Sequence, residues 1–320
     1  YKRQAPRSLP SGIVTDAQHH ELTGADPAGA AAFDAVVAAL ARLDGDAGRR
    51  ALTLAAAAPG LLMAQVAAAA AGLVGPEAEL GDAAAAALDR VLMLVPGATP
   101  REAGHVAALA AWAAGDIAGA AAGWGEVAAQ WPRDLLALTL AQHADGLAGN
   151  RADLRRRLRH ALPHWPAGLA GRDLMMGLLA YGLAETDDCN WAEEAGREAL
   201  AADPGNGWAA HAVLHALENA GRHDEALAWL EASRAAWAAN PRLARHHQAH
   251  RAARLATTDP RAATAAYDRG VAAGPGAGTA DLIDATGVAW RLWLAGIDMR
   301  QRAGTLAMLW DLRLKGLSLI

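Results

Sequence analysis

Cysteine occurs once in the 320 residues, at Cys189. No internal disulfide and no thiolate metal cage can form, and a reducing compartment is the expected setting. Lysine is nearly absent too, found only as Lys2 and Lys315. With no Gly-rich loop ending in Lys-Ser/Thr, a P-loop nucleotide site is excluded. The serines are Ser8, Ser11, Ser233 and Ser318, none in a nucleophile elbow, which argues against serine-hydrolase chemistry. One Phe and three Tyr leave few aromatic strand formers beside eleven Trp. An excess of charge is also lacking: 29 Lys and Arg against 34 Asp and Glu give −5, without long single-sign runs. That balance excludes nucleic acid and anionic membrane as expected partners. The longest apolar stretch, Gly60 to Val74, is built mostly of Ala and is too short to span a bilayer. Tyr1 to Gly24 carries Lys2, Arg3 and Arg7 with no apolar segment behind them, so it does not read as a secretory signal. Residues 1–25 read as an extended lead-in, and a cytoplasmic location is the default expectation.

What the chain has in abundance is alanine, and propensity therefore argues for helix almost everywhere. Start signals recur. Asp26-Pro27 supplies a cap and a first-turn proline, and Thr99-Pro100-Arg101-Glu102 is a capping box. Breaks follow at Pro59-Gly60, Gly115-Asp116, Trp131-Pro132, Gly149-Asn150, Trp165-Pro166, Asp203-Pro204, Gly221, Asn240-Pro241, Asp259-Pro260 and Gly274 to Gly278. From Pro132 to Pro166, Pro204 and Pro241 the proline breaks are spaced by 34, 38 and 37 residues. Two helices per period of about 34 residues is the punctuation of tetratricopeptide-like repeats. The expected fold is all-α, a right-handed superhelical solenoid of helix pairs, forming one domain over 26–320. Because a solenoid needs polar caps, the apolar Gly316-Leu317-Ser318-Leu319-Ile320 leads us to expect that the natural chain continues.

Two features attract attention and yield ordinary readings. Asp187 and Asp188 beside Cys189 disfavour its thiolate, so it is not expected to be a nucleophile. Arg151, Arg155, Arg156, Arg157 and Arg159 surround Asp153 on one helix and read as a solvated face.

Six of the twelve histidines fall between His211 and His250, and this clustering stands out. Trp208, His211, His215 and Glu218 are spaced by 3, 4 and 3 and share one helical stripe. After Pro241, His246 and His250 are again four apart, with His247 beside them. Either pair matches the spacing at which two imidazoles share a metal. One helix separates the two histidine helices, so both would be first helices of successive repeats lining a concave groove. The same counting brings Tyr181 and Glu185 from the preceding repeat, and Asp284 and Arg291 from the following one, to that groove. His211, His215, His246, His250 and Glu218 are the acid/base or ligand candidates, the four outer histidines being candidate ligands of a divalent metal. A satisfied inter-repeat hydrogen-bond network is the competing, purely structural reading.

The stretches Trp208-Ala209-Ala210-His211-Ala212-Val213-Leu214-His215 with Glu218, Tyr181-Gly182-Leu183-Ala184-Glu185-Thr186, Asp284-Ala285 and Trp290-Arg291-Leu292 resemble the tetratricopeptide repeat protein 38 family. Arg101-Glu102 with His105-Val106, Trp131 to Leu138 and Tyr267-Asp268 extend the resemblance over most of the chain. It implies an α-helical solenoid and brings no established reaction. The family's second histidine helix reads His-Asn, an aromatic, Trp, His; here it is His246-His247-Gln248-Ala249-His250, implying a differently shaped groove. The family's further Asn-Asp-x-x-His-like motif has no counterpart here.

Two functional expectations result. One is a groove that binds a small polar ligand or a metal through the His/carboxylate cluster, as an enzyme of specialised metabolism would. The other is a scaffold whose groove takes a partner peptide. Scarcity of Lys and abundance of His and acid favour the first. Oligomeric state is left open by the sequence.

Overall fold

A computed structural model of the protein describes residues 13–74, 81–274 and 277–315. The apolar stretch 316–320, most of the lead-in's first half and part of the Gly274–Gly278 break lie outside the described residues. Among the described residues the chain is all-helical. A single antiparallel bridge pairs Thr15 with Glu21, and no strand forms.

The first helices are α1 (Pro27–Arg42), α2 (Ala47–Ala57), α3 (Leu62–Val74), α4 (Gly81–Leu94), α5 (Pro100–Ala113) and α6 (Ile117–Gln130). Then come α7 (Leu135–Ala148), α8 (Arg151–Ala161), α9 (Arg172–Ala184), α10 (Cys189–Ala202), α11 (Gly207–Asn219) and α12 (His223–Ala232). The last are α13 (Arg234–Trp237), α14 (Pro241–Leu255), α15 (Pro260–Ala266), α16 (Thr279–Leu294) and α17 (Arg300–Leu314). The caps read from the sequence are made. Gly29 N–H donates to Asp26 at 2.6 Å, and Thr99 and Glu102 bond reciprocally at 3.3 and 2.9 Å. Asn206 starts α11 and Asn240 starts α14 in the same way. The segment expected as one helix over 224–238 is instead divided into α12 and α13 at Ser233. Its hydroxyl donates to the Trp229 carbonyl at 2.7 Å, a local bond that competes with helix continuation.

Most successive helices pack against each other, α3 reaches past α4 to α5, and α9 also packs along α11, as α14 does along α16. The placement of α1 is what the sequence did not announce. It packs against α7, α9 and α11 together. The end of α1 approaches α11 so closely that a Cβ on Gly207 would stand 2.9 Å from the Arg42 carbonyl, and Arg42 pairs with Asp203 at 2.6 Å. The lead-in is equally built in. Asp16, Gln18 and Leu22 are buried, and Thr23 donates to Glu102 at 2.6 Å.

The apolar interior is divided. One large cluster runs from Leu22 to Ala216, and a second from Ala249 to Leu309. Tyr267 and Asp268 belong to the second unit's framework: Tyr267 is buried, and Asp268 accepts two bonds from Arg302 at 2.7 and 2.6 Å. Between the clusters lie the facing sides of α11 and α14, whose backbones stay further apart than those of α9 and α11.

Candidate metal centre

The space between α11 and α14 is filled by imidazoles. His211 and His215 project from α11, and His246 and His250 from α14; one ring nitrogen of each lies within 4.8 Å of the others. The i, i+4 spacing on each helix stacks each pair along one stripe, and the caps at Asn206 and Asn240 set where α11 and α14 begin.

Behind the rings stand three carboxylates, each from a different helix. Nδ1 of His215 meets Glu185 of α9 at 2.6 Å, Nδ1 of His250 meets Glu218 of α11 at 2.8 Å, and Nδ1 of His246 meets Asp284 of α16 at 2.8 Å. An ionised carboxylate only accepts, so each Nδ1 carries the proton and donates. The Nε2 atoms of the three rings then face one another. His250 Nε2 stands 3.2 Å from both His215 Nε2 and His246 Nε2. Ring nitrogens at that distance share either a proton, as N–H to N, or a metal cation. Burial pushes His250 down to about 4 against the opposing pull of its Glu218 hydrogen bond.

Glu185 and Glu218 are held ionised. Burial alone would raise Glu185, but the His215 bond, its charge and Arg151 at 3.2 Å bring it below the usual carboxylate range. Glu218 is lowered likewise by His250 and by Arg254 at 3.5 Å, again against burial. Arg151, read from the sequence as part of a solvated face, thus reaches the site through Glu185; nothing in the linear spacing connects the two.

The remaining candidates divide. Tyr181 stacks on His211 with centroids 5.7 Å apart and on Trp208 at 4.5 Å, and Trp208 in turn meets His143 edge-on at 5.3 Å. Burial, followed by the charge of Glu185, raises the Tyr181 phenol, which stays protonated. His247, expected at the groove, is instead buried behind the cluster, bonded to His211 at 3.2 Å and packed against Trp237. Position 247 follows 246 on the helix and is turned about 100° from it, so it faces the α13 side. Arg291 does not join the site. It is exposed and donates to the Gly287 carbonyl of its own helix at 3.0 Å, two turns past Asp284. His143 went unnoticed because it sits on α7, outside the histidine-rich stretch, and is brought to Trp208 only by packing.

Cys189 behaves as its sequence suggests: burial and Asp187 raise its thiol. No helix of the described residues is long and apolar enough to cross a membrane. No protein-family model matches this chain.

Proposed function

We propose that the protein binds one divalent transition metal between α11 and α14, through His215, His246 and His250 with His211 alongside, and that this centre serves a small polar ligand. The observation that carries the reading is the triple convergence of carboxylate-backed imidazoles. Carboxylate–histidine–metal arrangements fix the tautomer and raise the basicity of the ligating nitrogen. Tetrahedral Zn–N bonds of about 2.0–2.1 Å place neighbouring nitrogens roughly 3.3–3.4 Å apart, close to the 3.2 Å separations here. All-imidazole donors suit Zn, Cu, Ni or Fe and disfavour Mg and Ca, which want oxygen.

In the same reading the helix pairs form a right-handed tetratricopeptide-like superhelix related to the tetratricopeptide repeat protein 38 family. The neighbour relations of α9 with α11 and α14 with α16 support it. The peptide-scaffold alternative is disfavoured by α1, which a bound peptide would have to displace from α7, α9 and α11.

The test is elemental analysis and calorimetric titration of tag-free protein. Near-stoichiometric zinc or a related ion, lost in His250→Ala, is expected. A wild-type protein that retains no transition metal and shows no saturable binding overturns the reading.

A further inference from the structure

His211 differs from the other three histidines in what stands behind it. Theirs are carboxylates; its Nδ1 faces Nε2 of His247 at 3.2 Å. The others are also linked to one another by 3.2 Å nitrogen contacts, while His211 lies beside them with ring centroids 4.2 Å from His215 and 4.9 Å from His246. Its tautomer therefore depends on His247, a neutral ring able to donate or accept.

His247 is 1% exposed, and its Nδ1 has no hydrogen-bond partner. Were the His247 proton on Nδ1, a buried N–H would be left without an acceptor. With the proton on Nε2, His247 donates to His211 and leaves only an unused lone pair. Orphaned buried donors are the rarer and costlier case. His211 then accepts at Nδ1 and carries its own proton on Nε2, towards the cluster. The site so composed has three lone pairs and one N–H donor.

Three protein ligands with a fourth position for an outside ligand is the composition of catalytic zinc sites; structural sites close with four. An N–H beside such a position asks for an oxygen acceptor. Charge on that acceptor is suggested by Arg242, one turn before His246 on the same stripe of α14. Arg242 is exposed and has no acidic partner among the described residues, whereas Arg245 of the same helix pairs with Asp281 at 3.2 Å. Four residues before His246, Arg242 leaves α14 from the stripe that carries His246 and His250.

Resting on the metal reading above, we infer that His211 is not a ligand but hydrogen-bonds the oxygen of a small organic carboxylate that takes the fourth position of a His215–His246–His250 centre, with Arg242 attracting the anion. No bond is made or broken in this binding step; the carboxylate oxygen coordinates the metal and accepts from His211 Nε2. His247 is a positioning residue that sets the tautomer.

The experiment is cobalt(II) titration of the full chain followed by visible spectroscopy, then acetate and benzoate titration of the cobalt-loaded protein. His215→Ala, His246→Ala and His250→Ala are expected to lose at least ~100-fold in cobalt affinity, and His211→Ala less than about 3-fold. His211→Ala should weaken the carboxylate-induced spectral change by roughly 10-fold or more, with part regained in His211→Gln, whose amide still donates. Arg242→Gln should weaken carboxylate binding alone, by about 3- to 10-fold. Circular dichroism checks that each variant folds, and His211→Gln serves if the alanine variant does not. If either His211 variant loses cobalt as His215→Ala does, four histidines ligate and the inference falls. It also falls if carboxylates bind His211→Ala as well as wild type. A wild-type chain that takes up no cobalt fails earlier, at the metal reading itself.

Discussion

The seam between α9 and α11 and the seam between α11 and α14 are neighbours in the same stack, built from opposite materials. The first is apolar. Met175, Leu178, Leu179 and Leu183 of α9 join Ala209, Ala212 and Ala216 of α11 in one continuous cluster, and the small alanines let the two backbones approach. In the second, imidazoles and carboxylates fill much of the space, the backbones stand further apart, and the small apolar group of Ala210, Trp237 and Leu243 joins α11 to α14. Dispersion and burial hold the first seam whatever is bound. The second is crossed by the His250–Glu218 bond and by the imidazole contacts of His215 with His250 and of His211 with His247, while Glu185 and Asp284 tie the rings outward to the end of α9 and to α16. A protein that wanted only stability would continue the alanine and leucine pattern, because buried ionisable groups are costly unless fully paired.

The sharpest way to break this comparison is to damage the apolar seam. Met175→Ala, at a fully buried position, should cost about 2–5 kcal/mol in denaturant unfolding and leave metal affinity unchanged. A large loss of metal affinity with it would mean that the two seams are one cooperative unit. Next in size is Asp284→Asn. Removing the carboxylate behind His246 should weaken metal binding by about 10- to 100-fold by calorimetry, roughly 1.4–2.7 kcal/mol, because an amide can present its donor to Nδ1 and no longer fixes the tautomer. An unchanged affinity would return the three carboxylates to the role of a structural network.

The effect of acid on His143 is smaller and has a definite sign. Burial, with the Arg242 charge, pushes this imidazole from 6.5 down to about 4, so the folded state holds it neutral while the unfolded chain protonates it below 6.5. Its contribution to stability is thus present at neutral pH and is lost as the pH falls from about 6.5 towards 4. The difference in Tm between wild type and His143→Gln should narrow over that interval when scanned with chelator present; a parallel pair of curves would show that His143 titrates normally. The smallest expected effect is at Arg151. It is 70% exposed on the side chain and 3.2 Å from Glu185, so Arg151→Ala should change stability by less than about 1 kcal/mol, and less again in high salt. A larger loss of metal affinity than of stability would show that the arginine acts through Glu185 on His215.

The sequence by itself determined the helical class, most helix ends and the pairing of histidines on two stripes. Alanine content, Asx and Thr caps and proline spacing are local properties, and local physics decides helix starts such as Asp26, Thr99, Asn206 and Asn240 without reference to the rest of the chain. The i, i+4 spacing of His211 with His215 and of His246 with His250 is equally local, and for that reason readable. Only the tertiary structure decided which carboxylate stands behind which imidazole. Glu218, one turn from His215 on α11, crosses to His250, while His215 takes Glu185 from α9. Those choices depend on helix rotation and separation, set by packing on the far sides of α11 and α14. The same holds for α1 lying over α7, α9 and α11, for Arg291 turning back to its own helix and for His247 turning inward. A side chain's partner across a seam is a property of two helices at once, and one helix's sequence specifies only the face from which that side chain leaves.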